Sequence, residues 1–162
     1  MKHTLVTLVE NKPGVLNRVA SMFRRRNFNI DSLSVGTTES DQISRMTIVV
    51  EGDDRVVDQV VKQMYKLVNV IQVTDVTHLP TVNRELALIK VAATPETRGE
   101  IIQLVGIYRA NIIDVALDSL VIQITGEEDK VDSLIRLLHQ FGIKELARTG
   151  RVSMMRGLTE EG

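Results

Sequence analysis

Cysteine is absent from the 162 residues. That excludes disulfides, thiolate nucleophiles and cysteine-ligated zinc, and it fits a reducing compartment. Tryptophan is absent too, and aromatic residues make up only 3% of the chain. Bases and aromatic ligands therefore have few surfaces to stack on, which counts against single-stranded nucleic-acid binding. Neither sign of charge prevails: 20 Lys and Arg stand against 21 Asp and Glu, a net charge of −1. Proteins that neutralise many phosphates are usually basic. No apolar run is long enough to span a bilayer, and Met1 to Val9 is too short and too polar for a signal peptide, so the expected location is the cytoplasm. His3, His78 and His139 are scattered over strand, linker and helix without metal-ligand spacing or a nearby nucleophile pattern. The acidic groups Asp53-Asp54 and Glu127-Glu128-Asp129 sit at helix starts, where acids are expected in any case. No catalytic residue and no metal site is expected.

What is present is a globular composition, 43% hydrophobic and 25% charged, in a length that suits one ordinary domain or two small ones. Leu5 to Val9 is β-branched and apolar on both faces, which predicts a central strand. The stripe Val15, Leu16, Val19, Ala20, Phe23 predicts a helix from about Gly14 to Arg26. Strands are expected over Phe28 to Thr37 and Ile43 to Val50. A helix capped by Asp53 and carrying Val56, Val57, Val60, Val61, Met64 and Leu67 follows, and then a strand over Val70 to Thr77. The order is βαββαβ, the ferredoxin-like arrangement.

"HLPTVNRE" carries Pro80 and no periodicity, which predicts a boundary. The pattern then repeats. Leu86 to Ala92 is strand-like, and Thr94-Pro95-Glu96 reads as a helix start with Thr94 as cap and Pro95 at the first helical position. Strands over Asn111 to Leu117 and Leu120 to Thr125, a helix opened by Gly126-Glu127 and a return strand over Ile143 to Ala147 complete it. "NIDSL" echoes "NIIDVAL", and "EGDDRVVD" echoes "TGEEDKVD". The expected architecture is α+β, two tandem ferredoxin-like domains: residues 1–78, a linker at 79–84, and 85–162, with a frayed tail from Leu158 to Gly162. A βαββαβ sheet carries both helices on one face, so its other apolar face needs a cover, either the other domain or a second copy of the chain.

The stretch "VENKPGVL" joins the first strand to the first helix. A helix that starts there leaves its first N–H groups unpaired, at the positive end of the dipole, where they suit a carboxylate or phosphate. Gly14 leaves the approach open, Pro13 restricts the turn, and Asn11 offers both donors and an acceptor. A free amino acid needs both. Asn-x-Pro-Gly is equally an ordinary turn composition. No phosphate-loop or Gly-x-Gly-x-x-Gly pattern is present. At Asn29-Ile30-Asp31, Ile30 and Leu33 fall on opposite faces of a regular strand, which predicts either a bulge or an Ile30 reserved for contact outside its own core. Arg24-Arg25-Arg26 reads as a solvated helix end, a phosphate patch or a face for a partner protein.

"TLVENKPGVLNRVASMFRRRNFNIDSLSVG", "SRMTIVVEGDD", "KQMYKLVNVIQV", the run Asn83 to Val91, "NIIDV" and "ELARTGRVSM" closely resemble the small regulatory subunits of acetolactate synthase (acetohydroxyacid synthase), whose N-terminal half is an ACT domain. The resemblance covers nearly the whole chain. It implies a non-catalytic subunit that binds and activates a large subunit using thiamine diphosphate, magnesium and FAD, with no cofactor in this chain. It also implies feedback sensing of valine, or of leucine or isoleucine, in branched-chain amino-acid biosynthesis. The implied effector site lies between ACT domains of two protomers. Asn11 and Gly14, with the backbone of Val15 and Leu16, form one wall, and Asn29 and Ile30 of the facing chain form the other. A tandem-ACT transcriptional regulator is the alternative.

Overall fold

Alternating and continuous apolar runs give the strands of the first unit, and both faces of its central strand are buried. The computed structural model of the chain describes residues 1–157; the expected fraying from Leu158 to Gly162 lies outside them. Strand β1 (Lys2–Glu10) leads into α1 (Val15–Arg25), then β2 (Asn29–Thr37), β3 (Ile43–Glu51), α2 (Asp54–Tyr65) and β4 (Val70–Asp75). The four strands are ordered β2-β3-β1-β4, all antiparallel. On one face, Leu5 and Val9 of β1 and Ile48 of β3 pack with Val19 and Phe23 of α1 and Val60 and Met64 of α2. Phe23 meets Phe28 edge-on, with ring centroids 6.0 Å apart. Asp53 caps α2 as its residue type predicts, accepting from the Val56 N–H at 2.9 Å.

The second unit repeats the plan with β5 (Thr81–Ala92), α3 (Arg98–Ile107), β6 (Asn111–Val115), β7 (Ser119–Gly126), α4 (Glu128–Leu138) and β8 (Ile143–Arg148), the strands ordered β6-β7-β5-β8. Its core gathers Ile89, Ile101, Ile122, Leu134 and Leu138. The echo between halves extends to irregularities. A bulge follows Asn29-Ile30 in β2 and another follows Asn111-Ile112 in β6. In the first unit the bulge lets both Ile30 and Leu33 pack on the same core, which accounts for the broken alternation.

Three local expectations shift. β5 begins at Thr81, inside the stretch read as linker. α3 begins at Arg98, with Thr97 at its cap position. Thr94 and Thr97 bond each other's backbone N–H through their hydroxyls and spend Pro95 and Glu96 in a turn. A ninth strand, β9 (Val152–Met155), was not foreseen. The described chain divides into Met1–Val82 together with residues 151–157, and Asn83–Gly150. The Arg151 guanidinium donates to Thr4 Oγ1 at 2.7 Å, Arg45 donates to the Ser153 carbonyl at 2.9 Å, and the Arg156 N–H donates to the Pro80 carbonyl. Part of the cover for the helix-free face of the first sheet is thus the chain's own last strand. A groove of about 250 Å³ remains between Val6, Leu8 and Val76 of the sheet side and Met154 and Met155 of β9.

Where β1 and β4 begin and end, buried His3 bonds Asp75 at 3.1 Å, and its other ring nitrogen faces Asp54 at 3.6 Å. Burial pushes the Asp75 carboxyl up, but hydrogen bonds from the Thr77 hydroxyl, the Thr77 N–H and His3 outweigh it and hold Asp75 below its ordinary value. A depressed carboxylate stabilises the fold above its unfolded pKa, and that contribution is lost as pH falls through the folded value. Asp75→Asn is therefore expected to flatten the loss of thermal stability below about pH 4 relative to wild type. Melting curves across that range check it; parallel curves would remove Asp75 from the acid response.

Candidate functional site

The positive end of α1 is left open by its own sequence. Gly14 takes the cap position at φ 84°, a conformation other residues adopt only under strain. It makes no side-chain cap, and the first turn carries no acid. The other three helices each carry an acid there: Asp54 in α2, Glu100 in α3, and Glu128 and Asp129 in α4. Around the turn, the Val15 N–H reaches back to the Lys12 carbonyl at 3.3 Å and the Arg18 N–H to that of Gly14 at 3.0 Å. The N–H groups of Gly14, Leu16 and Asn17 have no acceptor among the described residues. A Cβ at Gly14 would meet nothing within 4 Å, so the space above these donors is open.

Asn11 is fixed beside them. Its backbone N–H donates to the Gln42 carbonyl at 2.8 Å, and its side-chain Nδ2 donates to the Asp41 carbonyl at 2.9 Å. The amide nitrogen is thereby engaged and the amide oxygen is left as an acceptor. Lys12 does not join the set, because its ammonium pairs with Glu10 at 2.7 Å. That hydrogen bond and charge hold the Glu10 carboxyl below its ordinary value. Behind the turn, Asn69 accepts from Arg18 and from the Glu10 N–H, locking α1 to the end of β1. Val15 is buried in the core, whereas Leu16 is 46% exposed and projects outward. The turn thus presents three unpaired N–H donors, one amide acceptor and an apolar side chain, a set that matches an α-carboxylate, an α-ammonium and an aliphatic residue.

Asn29 and Ile30 do not meet this loop within the chain. Asn29 pairs with Glu51, which also pairs with Lys2, whereas the loop follows Glu10, whose partner is Ile43. Eight strand steps separate the two ends, about 27 Å at the ordinary rise. Asn29 is exposed on the edge strand, and Ile30 is half-buried against the core. The six expected residues therefore form two groups at opposite ends of one sheet. Asp41, Gln42 and Asn69 are the residues that sequence reasoning missed. The first two act through backbone carbonyls, which leave no side-chain signature, and Asn69 gives no signal apart from its place before β4.

The second unit has the same scaffold without the open turn. Thr94 and Thr97 close the approach to α3 on themselves, and no glycine with positive φ stands there. Among the described residues no group of three His, Asp or Glu could hold a metal. None of the described helices is long and apolar enough to cross a membrane. His3 and His78, distant in sequence, stack edge-on, and His139 is the C-cap of α4.

Comparison with known proteins agrees across both halves. The family model "AHAS small subunit-like ACT domain" matches residues 5–72, and "Small subunit of acetolactate synthase" matches residues 84–157. A probable acetolactate synthase small subunit of Archaeoglobus fulgidus is 63% identical over 97% of this chain and 98% of its own. The acetolactate synthase small subunit of Mycolicibacterium smegmatis is 52% identical over 96% of this chain and 91% of its own. The crystal structure of the small subunit from Thermotoga maritima superposes with a TM-score of 0.91 at 48% identity, covering 98% of this chain and 99% of that one. With both halves matched and the folds superposed, the chain belongs to the acetolactate synthase small-subunit family, as a regulatory subunit whose chemistry resides in a separate catalytic chain.

Proposed function

We propose that this subunit activates the large catalytic subunit and makes it sensitive to feedback by a branched-chain amino acid, valine first and leucine or isoleucine besides. Valine binds between two copies of the chain. Its carboxylate lies on the open N–H groups of Leu16 and Asn17, its ammonium on Asn11 and on Asn29 of the second copy, and its side chain against Leu16 and Ile30. Thiamine diphosphate, magnesium and FAD belong to the large subunit, and none is held here. The observation that carries the reading is the uncompensated start of α1, the only helix of the four without an acid in its first turn among the described residues. The register supports the use of two chains, since one chain keeps its two groups about 27 Å apart.

The energetics suit a metabolite sensor. Charge-assisted hydrogen bonds contribute about 1.5–3 kcal/mol each, and burying an isopropyl group adds about 1.5–3 kcal/mol. After the cost of association the dissociation constant falls at roughly micromolar to millimolar. A single methylene discriminates by about 1–3 kcal/mol, so selectivity among branched side chains is modest. A ligand that spans two chains also tightens their association. No observation favours the transcriptional-regulator reading.

The test is reconstitution with the large subunit from the same source. Activity is expected to rise on mixing and to fall when valine is added. Asn29→Ala is expected to keep the activation and lose most of the valine response. Absence of both effects with wild type would remove the proposal; unchanged valine sensitivity in Asn29→Ala would remove the second wall of the site.

A further inference from the structure

Among the described residues, the three consecutive arginines form no ion pair or side-chain hydrogen bond. Arg24 and Arg25 end α1 and Arg26 is its C-cap. One cation in a last turn satisfies the helix dipole, and three exceed that need. In a chain of net charge −1, with acids available to pair, none of their guanidinium groups forms an ion pair or hydrogen bond among the described residues, and neither do the ammonium groups of Lys62 and Lys66 on α2. Arg25, Arg26 and Lys66 line one groove of about 490 Å³ between the two helices, with Gln63 on its wall and the buried Met22 and half-buried Leu67 beneath. The groove is basic at its rim and apolar at its base.

The second unit supplies an internal control. It has the same pair of helices packed on the same kind of sheet. There Tyr108 bonds Ser133 across from α3 to α4. The last turn of α3 carries no base, with Arg109 just past its cap, and that of α4 carries Arg136, as that of α2 carries Lys62. The arginine run that ends α1 is therefore no requirement of the fold.

We propose that this groove docks an acidic segment of the large catalytic subunit, one that places an apolar side chain on Met22 and Leu67 between carboxylates facing Arg25, Arg26 and Lys66. The proposal rests on the partnership proposed above and adds the surface through which it is made. A protein segment fits better than a nucleic-acid backbone, because the base is apolar, aromatic stacking surfaces are few and the chain as a whole is not basic. The groove lies on the helix face at the C-terminal end of α1, away from the Asn11 turn at its start, although Asn29 follows Arg26 by only three residues.

The experiment compares full-length wild type with Arg25→Glu/Arg26→Glu/Lys66→Glu and with Arg25→Lys/Arg26→Lys. Each is titrated against the large subunit at low and high salt, with valine calorimetry and melting curves alongside. The charge-reversed chain is expected to bind the large subunit roughly tenfold more weakly or worse. Wild-type affinity should fall as salt rises, and the reversed chain should show less salt dependence. The lysine variant should stay near wild type in affinity, valine binding and melting, whereas the reversed chain should melt a little lower, because acids at a helix C-terminus oppose its dipole, and should still bind valine at the Asn11 turn. Equal affinity of the reversed chain, or a wild-type affinity indifferent to salt, overturns the groove alone. Failure of wild type to associate with the large subunit at any salt overturns the partnership and the groove with it. A salt-sensitive shift of duplex DNA by wild type, absent in the reversed chain, would reassign the groove to nucleic acid.

Discussion

Arg148→Ala is expected to destabilise the second unit by about 3 kcal/mol, toward the lower end of what breaking a buried ion pair costs. Glu85 sits at the start of the buried stretch of β5 with only 7% of its side chain exposed, and Arg148 of β8 reaches across to bind it. The same guanidinium binds Asp132 of α4 at 2.7 Å. Burial works against the charge on Arg148, but hydrogen bonds to Glu85 and Asp132 outweigh that and hold its pKa above the ordinary value. One residue thus ties a central strand, an edge strand and a helix. Removing it leaves a carboxylate inside the fold with no cation, and that desolvation accounts for most of the loss. The side chain of Arg148 remains 31% exposed, so water recovers part of it. Denaturant unfolding followed by a probe in the second unit measures the effect. The double variant Arg148→Met/Glu85→Leu is expected to recover most of it, because replacing both charges by apolar groups of similar volume is close to neutral. A single variant as stable as wild type would mean that water already solvates Glu85.

Where a structural cause was local, the residues announced it. Val15, Val19 and Phe23 at helical spacing, the Asp53 cap and the doubly apolar β1 each describe what they touch within a few residues. The step at Ile30 was readable as an irregularity, because a strand with period two cannot put Ile30 and Leu33 on one face without one. The start of α3 was misplaced because Thr94-Pro95 carries the composition of a cap, and the competing turn depends on Thr97 reaching back. β9 was illegible for a different reason. It is four residues long, its buried member is a serine, and Arg45, whose guanidinium donates to the Ser153 carbonyl, lies more than a hundred residues away. The candidate site divides along the same line. Asn11, Gly14 and Leu16 make their case from one turn, whereas the separation of Asn29 from that turn follows only from strand register, which no local pattern encodes.

That separation leads to the most discriminating result expected of this protein. Asn11→Ala and Asn29→Ala chains, each alone, are expected to bind valine roughly tenfold to a hundredfold more weakly, the loss of one charge-assisted contact. Co-expressed under two affinity tags and purified as the mixed dimer, they should regain one site of near wild-type affinity per dimer. In that dimer the intact turn of the Asn29→Ala chain faces the intact Asn29 of the Asn11→Ala chain, and the second site carries both defects. The argument is geometric. Within one chain, the pairing of Asn29 and Lys2 with the same Glu51 holds Asn29 about 27 Å from the turn, too far for one amino acid to touch both. A site contained in a single protomer gives no recovery on mixing, because every protomer in the mixed dimer carries a defect. Calorimetric stoichiometry separates the outcomes: about one strong site per mixed dimer for a shared site, against none for a site within one chain. The same titration reports whether the remaining doubly defective site is silent, which the additivity of two separated contacts to one ligand predicts.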